Sequence, residues 1–250
     1  MANVKWDFTD RIIAVTGSAI GMGECAVDLF SKAGATVFGL DVDVERGAAV
    51  AERTGTTFVD CDITSSKVVR STFAAIEEQH GRLDVLINNA GGFWEQNTTE
   101  SLSEDEWDRV IDLNLKGVFL CAQSAIPLLR KSSAGRIITI ASLAGQTAIY
   151  RSSPPYAAAK AAVLSLARVL AYELAADGIT SNAISPSAVM TDRIRVVRSE
   201  EERAKTQATI PLGRYGEVDD LVAWMMFLAS EEGGYMTGET LNVNGGRFMV

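Results

Sequence analysis

A tyrosine and a lysine four residues apart, Tyr156 and Lys160, carry the clearest chemical potential in this sequence. Residues at i and i+4 share a helix face, and Ser153 as an N-cap with Pro154 at the first helical position predicts that a helix begins there. An ammonium group beside a phenol favours the phenolate, and lowering a phenol pKa from about 10 by about two units takes only ~2.7 kcal/mol. The pair could therefore move a proton near neutral pH, although many helices carry Tyr and Lys at this spacing.

A glycine-rich loop follows the first apolar run of the chain. The segment Thr16–Gly23 reads TGSAIGMG and lies between the β-branched run of residues 11–16 and a helical pattern. Glycines at such a turn let backbone N–H groups approach a pyrophosphate at the N-terminus of the helix. Three glycines could also form a plain turn, but the position between strand and helix favours a dinucleotide site.

An acidic residue, Asp41, ends the second apolar run, about twenty residues after the glycine loop. At that spacing a carboxylate can bind the ribose hydroxyls of NAD, and it would repel the 2′-phosphate of NADP by a few kcal/mol, on the order of 100-fold. The nearest basic residue, Arg46, lies outside the glycine loop. NAD (NADH) is therefore favoured over NADP, with a turn or N-cap role for Asp41 as the alternative.

Composition excludes several classes of protein. The chain has 250 residues and a net charge of −9, without a basic stripe or polybasic segment, so we expect no nucleic-acid or membrane partner. The first residues lack the apolar core of a signal peptide, and three widely spaced cysteines suggest reduced thiols. We therefore expect a cytoplasmic protein.

The only histidine, His80, precedes a glycine at the end of a helical pattern, where a helix C-terminus is the simplest interpretation. Ser-His-Asp catalysis and histidine-rich metal sites would have to be built on this residue. We therefore expect no hydrolase triad and no metal site.

Short apolar runs alternate with longer helical patterns along the chain, which predicts an α/β fold: one Rossmann-type doubly wound domain over residues 1–250, with a seven-stranded parallel sheet and helices on both faces. The strands are expected at 11–16, 35–40, 57–60, 83–88, 136–141, 180–184 and 240–243, and the main helices at 22–32, 44–53, 67–79, 104–131, 156–176 and 218–229. A polar segment at about 190–212 is expected to form a lid over the site.

Five motifs in conserved order make the chain resemble the short-chain dehydrogenase/reductase family over nearly its whole length. TGxxxGxG matches Thr16–Gly23, NNAG matches residues 88–91, and YxxxK matches Tyr156 and Lys160. The family's catalytic asparagine and serine match Asn114 and Ser142.

The resemblance implies a reaction. Tyr156 would exchange a proton with the carbonyl or alcohol oxygen while hydride passes to or from nicotinamide C4, and Ser142 would hydrogen-bond the same oxygen. Lys160 would hold the nicotinamide ribose and lower the tyrosine pKa, and Asn114 would carry a proton-relaying water. The implied cofactor-binding residues are Gly17, Ser18, Ile20, Gly21, Gly23, Asp41, Asp62, Ile63, Asn89, Ala90, Gly91, Tyr156, Lys160, Pro186, Val189 and Thr191.

Two features depart from the family pattern. Pro186 is followed by Ser187 where the family usually has glycine, and Ser142 and Tyr156 lie about one residue further apart than usual, with Pro154 and Pro155 between them. Both departures affect the region of the substrate pocket.

The pocket is expected to be lined by apolar and aromatic residues, with one lid arginine that could bind a carboxylate, sulfonate or phosphate of the substrate. A solvated lid face, with the arginines balanced by glutamates, is the alternative. The pocket candidates are Phe93, Trp94, Leu143, Tyr150, Met190 and Arg193.

The expected substrate is a small secondary alcohol or ketone, such as a polyol, sugar or hydroxy acid, and the resemblance also suggests a homotetramer. Two other functions remain open. One is a 3-oxoacyl-carrier-protein reductase, which generally uses NADPH, and the other is a non-catalytic dinucleotide-binding sensor.

Overall fold

A parallel sheet of seven strands forms the centre of the computed structural model, which describes residues 5–149 and 152–249. The strand order is β3-β2-β1-β4-β5-β6-β7, and every pairing is parallel. This confirms the predicted Rossmann-type sheet. The strands are β1 (Ile12–Thr16), β2 (Thr36–Asp41), β3 (Thr57–Asp60), β4 (Val85–Asn88), β5 (Arg136–Ile140), β6 (Thr180–Ile184) and β7 (Thr240–Leu241).

Helices cover both faces of the sheet because its central strands are apolar on both sides. In β1, Ile12 and Ala14 belong to one core with α3, α5 and α6, whereas Ile13 and Val15 belong to a second core with α1, α2 and α9. The helices are α1 (Gly21–Lys32), α2 (Val44–Thr54), α3 (Ser66–His80), α4 (Glu104–Ile111), α5 (Gly117–Leu129), α6 (Pro154–Leu174), α7 (Asp192–Val197), α8 (Glu200–Gln207) and α9 (Val218–Ala229).

The predicted helix over residues 104–131 is interrupted in the structure. A π-helical turn, Asp112–Lys116, separates α4 from α5 and carries the buried Asn114. Inserted turns of this type occur often at functional sites, and hydrophobic periodicity does not reveal them.

The segment expected to form a lid contains two short helices, α7 and α8. A capping box between Ser199 and Glu202 begins α8, and an isolated parallel bridge joins Val189 to Gly216 at the base of the segment. Polar composition hid these helices from the sequence analysis because neither presents a long apolar stripe.

His80 is the last residue of α3, and Gly81 follows it in the left-handed conformation. The imidazole packs edge-on against Phe38, 5.3 Å between ring centroids. The helix-end interpretation of His80 is therefore confirmed. Among the described residues, no helix is long and apolar enough to cross a bilayer.

Strand order determines where the sequence motifs meet. The chain runs from β1 outward to β3 and then returns to β4 on the other side of β1. In such open sheets the crevice between the carboxyl ends of the two strands at this switch point is the usual ligand site. The glycine loop, the NNAG motif, Ser142 and Pro186 all follow strands that end at this edge.

Candidate active site

The glycine loop is closely packed against the NNAG segment. Gly17 has φ +67°, and a Cβ on Gly23 would lie 1.9 Å from the Gly17 carbonyl oxygen, so both positions require glycine. Asn89 Nδ2 donates to the carbonyls of Thr16 and Gly17, at 3.0 and 2.9 Å. Thr16 Oγ1 accepts from the backbone N–H groups of Asn89 and Ala90, both at 3.0 Å. The loop therefore has a shape set by contacts more than 70 residues away in sequence.

The N-terminus of α1 fits a pyrophosphate. Its N-cap, Ile20, has extended backbone and makes no side-chain cap. The first N–H groups of the helix are thus left for another acceptor, and the helix dipole favours an anion there. Ser18 is buried beneath the loop, and Thr191 at the start of the lid lies opposite Gly21, with Cγ2 3.7 Å from its Cβ position.

Asp41 points at the glycine loop and is half-buried. Its Oδ2 accepts from the Ala19 N–H at 2.9 Å, and its Oδ1 accepts from the Asp43 N–H at 3.0 Å. Each carboxylate oxygen keeps acceptor capacity for a hydroxyl group. Arg46 pairs with Asp43 at 3.7 Å, so its guanidinium is drawn to that carboxylate.

Asp62 and Ile63 follow β3 at the same edge. Asp62 is exposed, and its Oδ1 accepts from the N–H and hydroxyl of Thr64, at 2.9 and 2.7 Å. The N-cap of α3 is Ser65, so Asp62 is free of that role. Ile63 is buried against Gly117, 2.7 Å from its Cβ position.

Asn114 joins the π-helical turn to the segment after β4. Its Oδ1 accepts from the Gly92 N–H at 2.9 Å, and its Nδ2 donates to the carbonyls of Gly92 and Val110, at 2.7 and 2.9 Å. A Cβ on Gly91 would lie 2.7 Å from Asn114 Oδ1 and 3.1 Å from Lys160 Nζ. Asn114, Gly91 and Lys160 therefore meet at one point.

Lys160 is buried, and its Nζ donates to the Ile140 carbonyl at 2.6 Å. Burial lowers the pKa of Lys160 to about 8, because desolvation disfavours the ammonium form. The Nζ lies 5.6 Å from the centroid of the Tyr156 ring. The Tyr156 ring lies 5.0 Å from that of Phe93, which follows the NNAG segment. The structure thus brings the tyrosine and lysine together beside the glycine loop.

Ser142 lies between β5 and a short 3-10 turn, Leu143–Gly145. Its Oγ accepts from the Ala144 N–H at 3.1 Å. A Cβ on Gly145 would lie 2.5 Å from the Lys160 carbonyl carbon, so the turn packs directly on the backbone of α6. Ser153 is the N-cap of α6, as expected, but its hydroxyl makes no cap hydrogen bond.

Gln146 is a site neighbour that the sequence analysis missed. Its Nε2 donates to Ser185 Oγ and Asn242 Oδ1, both at 2.6 Å. These partners follow β6 and β7, 39 and 96 residues away. No local spacing signals such a link, which holds three strand ends together.

The predicted pocket residues occupy different surroundings. Trp94 is half-exposed with the Arg109 guanidinium 3.8 Å from its ring centroid, whereas Leu143 is buried and its N–H donates to the Pro186 carbonyl. Met190 N–H donates to the Gly216 carbonyl at 2.8 Å, and Arg193 belongs to α7. Tyr150 lies outside the described residues, as does the side chain of Arg193.

Charged groups that could bind a metal are dispersed. Within residues 5–149 and 152–249, no group of three His, Cys, Asp or Glu side chains is placed to hold a metal ion.

Comparison with known proteins decides the family. A family model described as enoyl-(acyl carrier protein) reductase matches residues 17–247. The 3-oxoacyl-[acyl-carrier-protein] reductase of Vibrio harveyi is 34% identical over 242 residues, which cover 96% of this chain and 98% of that protein. The chain belongs to the short-chain dehydrogenase/reductase family. It is therefore an oxidoreductase of that family, with a nucleotide cofactor.

Two further members of this dehydrogenase/reductase family are similar over almost the whole chain. The NAD-dependent glycerol dehydrogenase of Listeria innocua is 35% identical, with 96% of this chain and 95% of that protein covered. The solved Pseudomonas aeruginosa RhlG/NADP active-site complex is 33% identical, with a TM-score of 0.91 over 97% of this chain and 98% of that one. These relatives name different cofactors and substrates.

Proposed function

We propose that this protein transfers hydride between NAD(H) and a small secondary alcohol or ketone, such as a polyol, sugar or hydroxy acid. The observation that carries the proposal is the buried Lys160 ammonium, which lies between the Ile140 carbonyl and the Tyr156 ring at the edge where the glycine loop opens. A buried cation with one neutral acceptor favours a nearby phenolate. A phenol in this position can exchange a proton with substrate near neutral pH.

When bound, the nicotinamide supplies or accepts the hydride. Tyr156 donates the proton that the substrate oxygen gains on reduction and takes it back on oxidation. Ser142 donates a hydrogen bond to that oxygen and orients it. Lys160 stabilises the phenolate and holds the ribose, and Asn114, anchored through Gly92, positions a water that carries the proton to solvent.

The remaining cofactor contacts follow from the strand ends. The loop at Gly17–Gly23 and the open N-terminus of α1 would bind the pyrophosphate, and Asp62 and Ile63 would contact the adenine. Asn89, Ala90 and Gly91 would line the cofactor, and the segment from Pro186 through Val189 to Thr191 would receive its carboxamide.

Preference for NAD over NADP rests on Asp41. Its carboxylate is held by two backbone N–H groups, so it cannot turn away from a 2′-phosphate without losing both bonds. The only guanidinium nearby in sequence, Arg46, is paired with Asp43. A glycerol dehydrogenase described as NAD-dependent is among the relatives.

A second candidate is a 3-oxoacyl-carrier-protein reductase that uses NADPH, because several relatives carry that name. Asp41 disfavours it through the cofactor. A non-catalytic dinucleotide sensor is disfavoured because Tyr156 and Lys160 are both present and adjacent.

The first experiment measures turnover at 340 nm over a panel of polyols, sugars, hydroxy acids, secondary alcohols and the corresponding ketones. We expect activity with at least one of them, and Tyr156→Phe should reduce kcat by at least ~100-fold, the usual size of a general acid–base contribution. Binding of NADH without turnover by the unaltered protein would favour the sensor, and full activity of the Tyr156→Phe variant would exclude the proposed chemistry.

The second experiment tests the cofactor. Asp41→Ala should lower the ratio of kcat/KM for NADH to that for NADPH by about 100-fold. Glu45→Gln, an exposed carboxylate in the first turn of α2, is a control for net charge and should leave the ratio within twofold. A wild-type preference for NADPH would exchange the ranking of the two candidate functions.

We further propose that residues 1–250 form one catalytic domain with a substrate lid at about 190–212, and that it assembles as a homotetramer in the cytoplasm. The free state of Cys25, Cys61 and Cys121 supports a reducing compartment. Mass by light scattering tests the tetramer.

A further inference from the structure

The C-terminal residue Arg247 reaches the loop that follows β6. Its Nη1 donates to Ser187 Oγ at 3.2 Å. Ser187 follows Pro186, whose carbonyl accepts from the Leu143 N–H at 2.8 Å, directly after Ser142. The guanidinium therefore lies where β5 and β6 end, on the same side as the proposed catalytic serine. Ser187 also occupies a position where the family usually has glycine, which has no hydroxyl.

A second arginine, Arg198, lies near the first. It follows α7, and its Nη1 donates to Thr206 Oγ1 of α8 at 3.2 Å. Partial burial lowers the pKa of Arg247, and the positive charge of Arg198 lowers it further. Two half-buried guanidinium groups that repel each other form a region of positive potential.

Neither arginine is neutralised by a carboxylate in the part of the chain that the structure describes. Other lid cations have nearby acceptors. Lys205 pairs with Glu201 at 2.6 Å, Arg195 lies 4.0 Å from Asp192, and Arg203 donates to two backbone carbonyls. Arg198 and Arg247 contact only hydroxyl groups through their side chains. They therefore differ from a solvated, charge-balanced lid face.

A buried hydroxyl nearby is also without a partner. Tyr215 is 4% exposed, and its Oη makes no hydrogen bond to the described residues. The next residue, Gly216, exchanges backbone hydrogen bonds with Ala188 and Met190, so Tyr215 lies beside the same loop as Ser187. Buried hydroxyl groups are normally satisfied, and a missing partner costs about 1–3 kcal/mol. A phenol can donate to an anionic oxygen.

We propose that Arg247 and Arg198, with the Tyr215 hydroxyl, bind a carboxylate of the substrate, which makes the substrate class a short hydroxy acid and its oxo acid. This inference rests on the proposed function, because it concerns the substrate of that same site. Guanidinium groups bind carboxylates through charge-assisted hydrogen bonds, often two at once. Binding of the acid would join α7, α8 and the C-terminal segment, and so close the lid on the substrate.

The kinetic test compares a short 3-oxo acid with its methyl ester, both reduced with NADH. Arg247→Gln and Arg198→Gln should each lower kcat/KM for the acid by about 10- to 100-fold, the effect of one charge-assisted bond, and leave the ester within twofold. Arg195→Gln is the matched control, an exposed lid arginine, and should change neither substrate. Equal losses for acid and ester, or no loss for either, would overturn the proposal.

A binding test separates this proposal from the reaction itself. Butyrate, a carboxylate that cannot be reduced, should raise the Tm of the unaltered protein and of Arg195→Gln, and the shift should disappear in Arg247→Gln or Arg198→Gln. If the protein reduces neither acid nor ester, the proposed reaction fails for these substrates, yet the butyrate shift still tests the anion site. A butyrate shift that survives both substitutions, or a larger shift with inorganic phosphate, would exclude the carboxylate assignment.

Discussion

Replacement of Lys160 by methionine should change how the stability of the cofactor-free protein depends on pH. Burial lowers the pKa of Lys160 to about 8, against 10.5 for the exposed group. The unfolded chain therefore keeps its proton up to pH 10.5, whereas the folded protein releases it near pH 8. Between these values the unfolded state binds more protons, so the contribution of this lysine to stability rises with pH. Below pH 8 the contribution is unfavourable and constant.

The magnitude follows from the same two values. A difference of 2.5 pKa units corresponds to about 3 kcal/mol over the full range, of which ~2 kcal/mol falls between pH 7 and pH 9.5. Methionine has similar length and does not titrate. It leaves the Ile140 carbonyl without its donor, at a cost of about 1–3 kcal/mol that does not depend on pH. The offset and the slope can therefore be separated.

The assay is thermal unfolding of the wild type and of Lys160→Met at pH 7 and pH 9.5, without cofactor. For a chain of this size about 1 kcal/mol shifts Tm by roughly 2–4 °C, so the wild type should gain roughly 4–8 °C on the variant as pH rises. Lys205→Met, which removes an exposed lysine of α8, should keep a constant difference from the wild type. A wild-type to Lys160→Met gap that stays within about 1 °C would refute a neutral buried lysine at pH 9.5.

Two more outcomes follow from local geometry. Gly23→Ala places a methyl group 1.9 Å from the Gly17 carbonyl oxygen, so NADH should bind at least ~10-fold more weakly by calorimetry, whereas Gly216→Ala, whose Cβ would make an ordinary contact at 3.6 Å, should bind within twofold. Equal affinities for the two variants would show that the loop can shift without loss. Burial, and next the hydrogen bond to Asp219, raises the pKa of Cys25 to about 12, so iodoacetamide at pH 7.5 should alkylate this thiol at least ~100-fold more slowly than free cysteine, as followed by peptide mass spectrometry. Labelling at the rate of free cysteine would contradict a protonated, shielded Cys25.

Local sequence predicted the features that depend on a few neighbouring residues. Continuous β-branched runs predicted buried parallel strands, because a strand covered on both faces has no polar side. The pairing of Tyr156 with Lys160 follows from helix geometry alone. The end of α3 at His80 followed from the glycine after it, and the fold class followed from the alternation of strands and helices.

Tertiary packing decided what connects segments far apart in the chain. The π-helical turn that holds Asn114 follows from its bonds to Gly92, 22 residues away, and no periodicity of residues 104–131 reveals it. The link from Gln146 to two other strand ends, and the contact of Arg247 with Ser187 across 60 residues, exist only because parallel strands end at one edge of the sheet. Helix periodicity and turn chemistry act over a few residues, whereas strand order sets which distant side chains share a site.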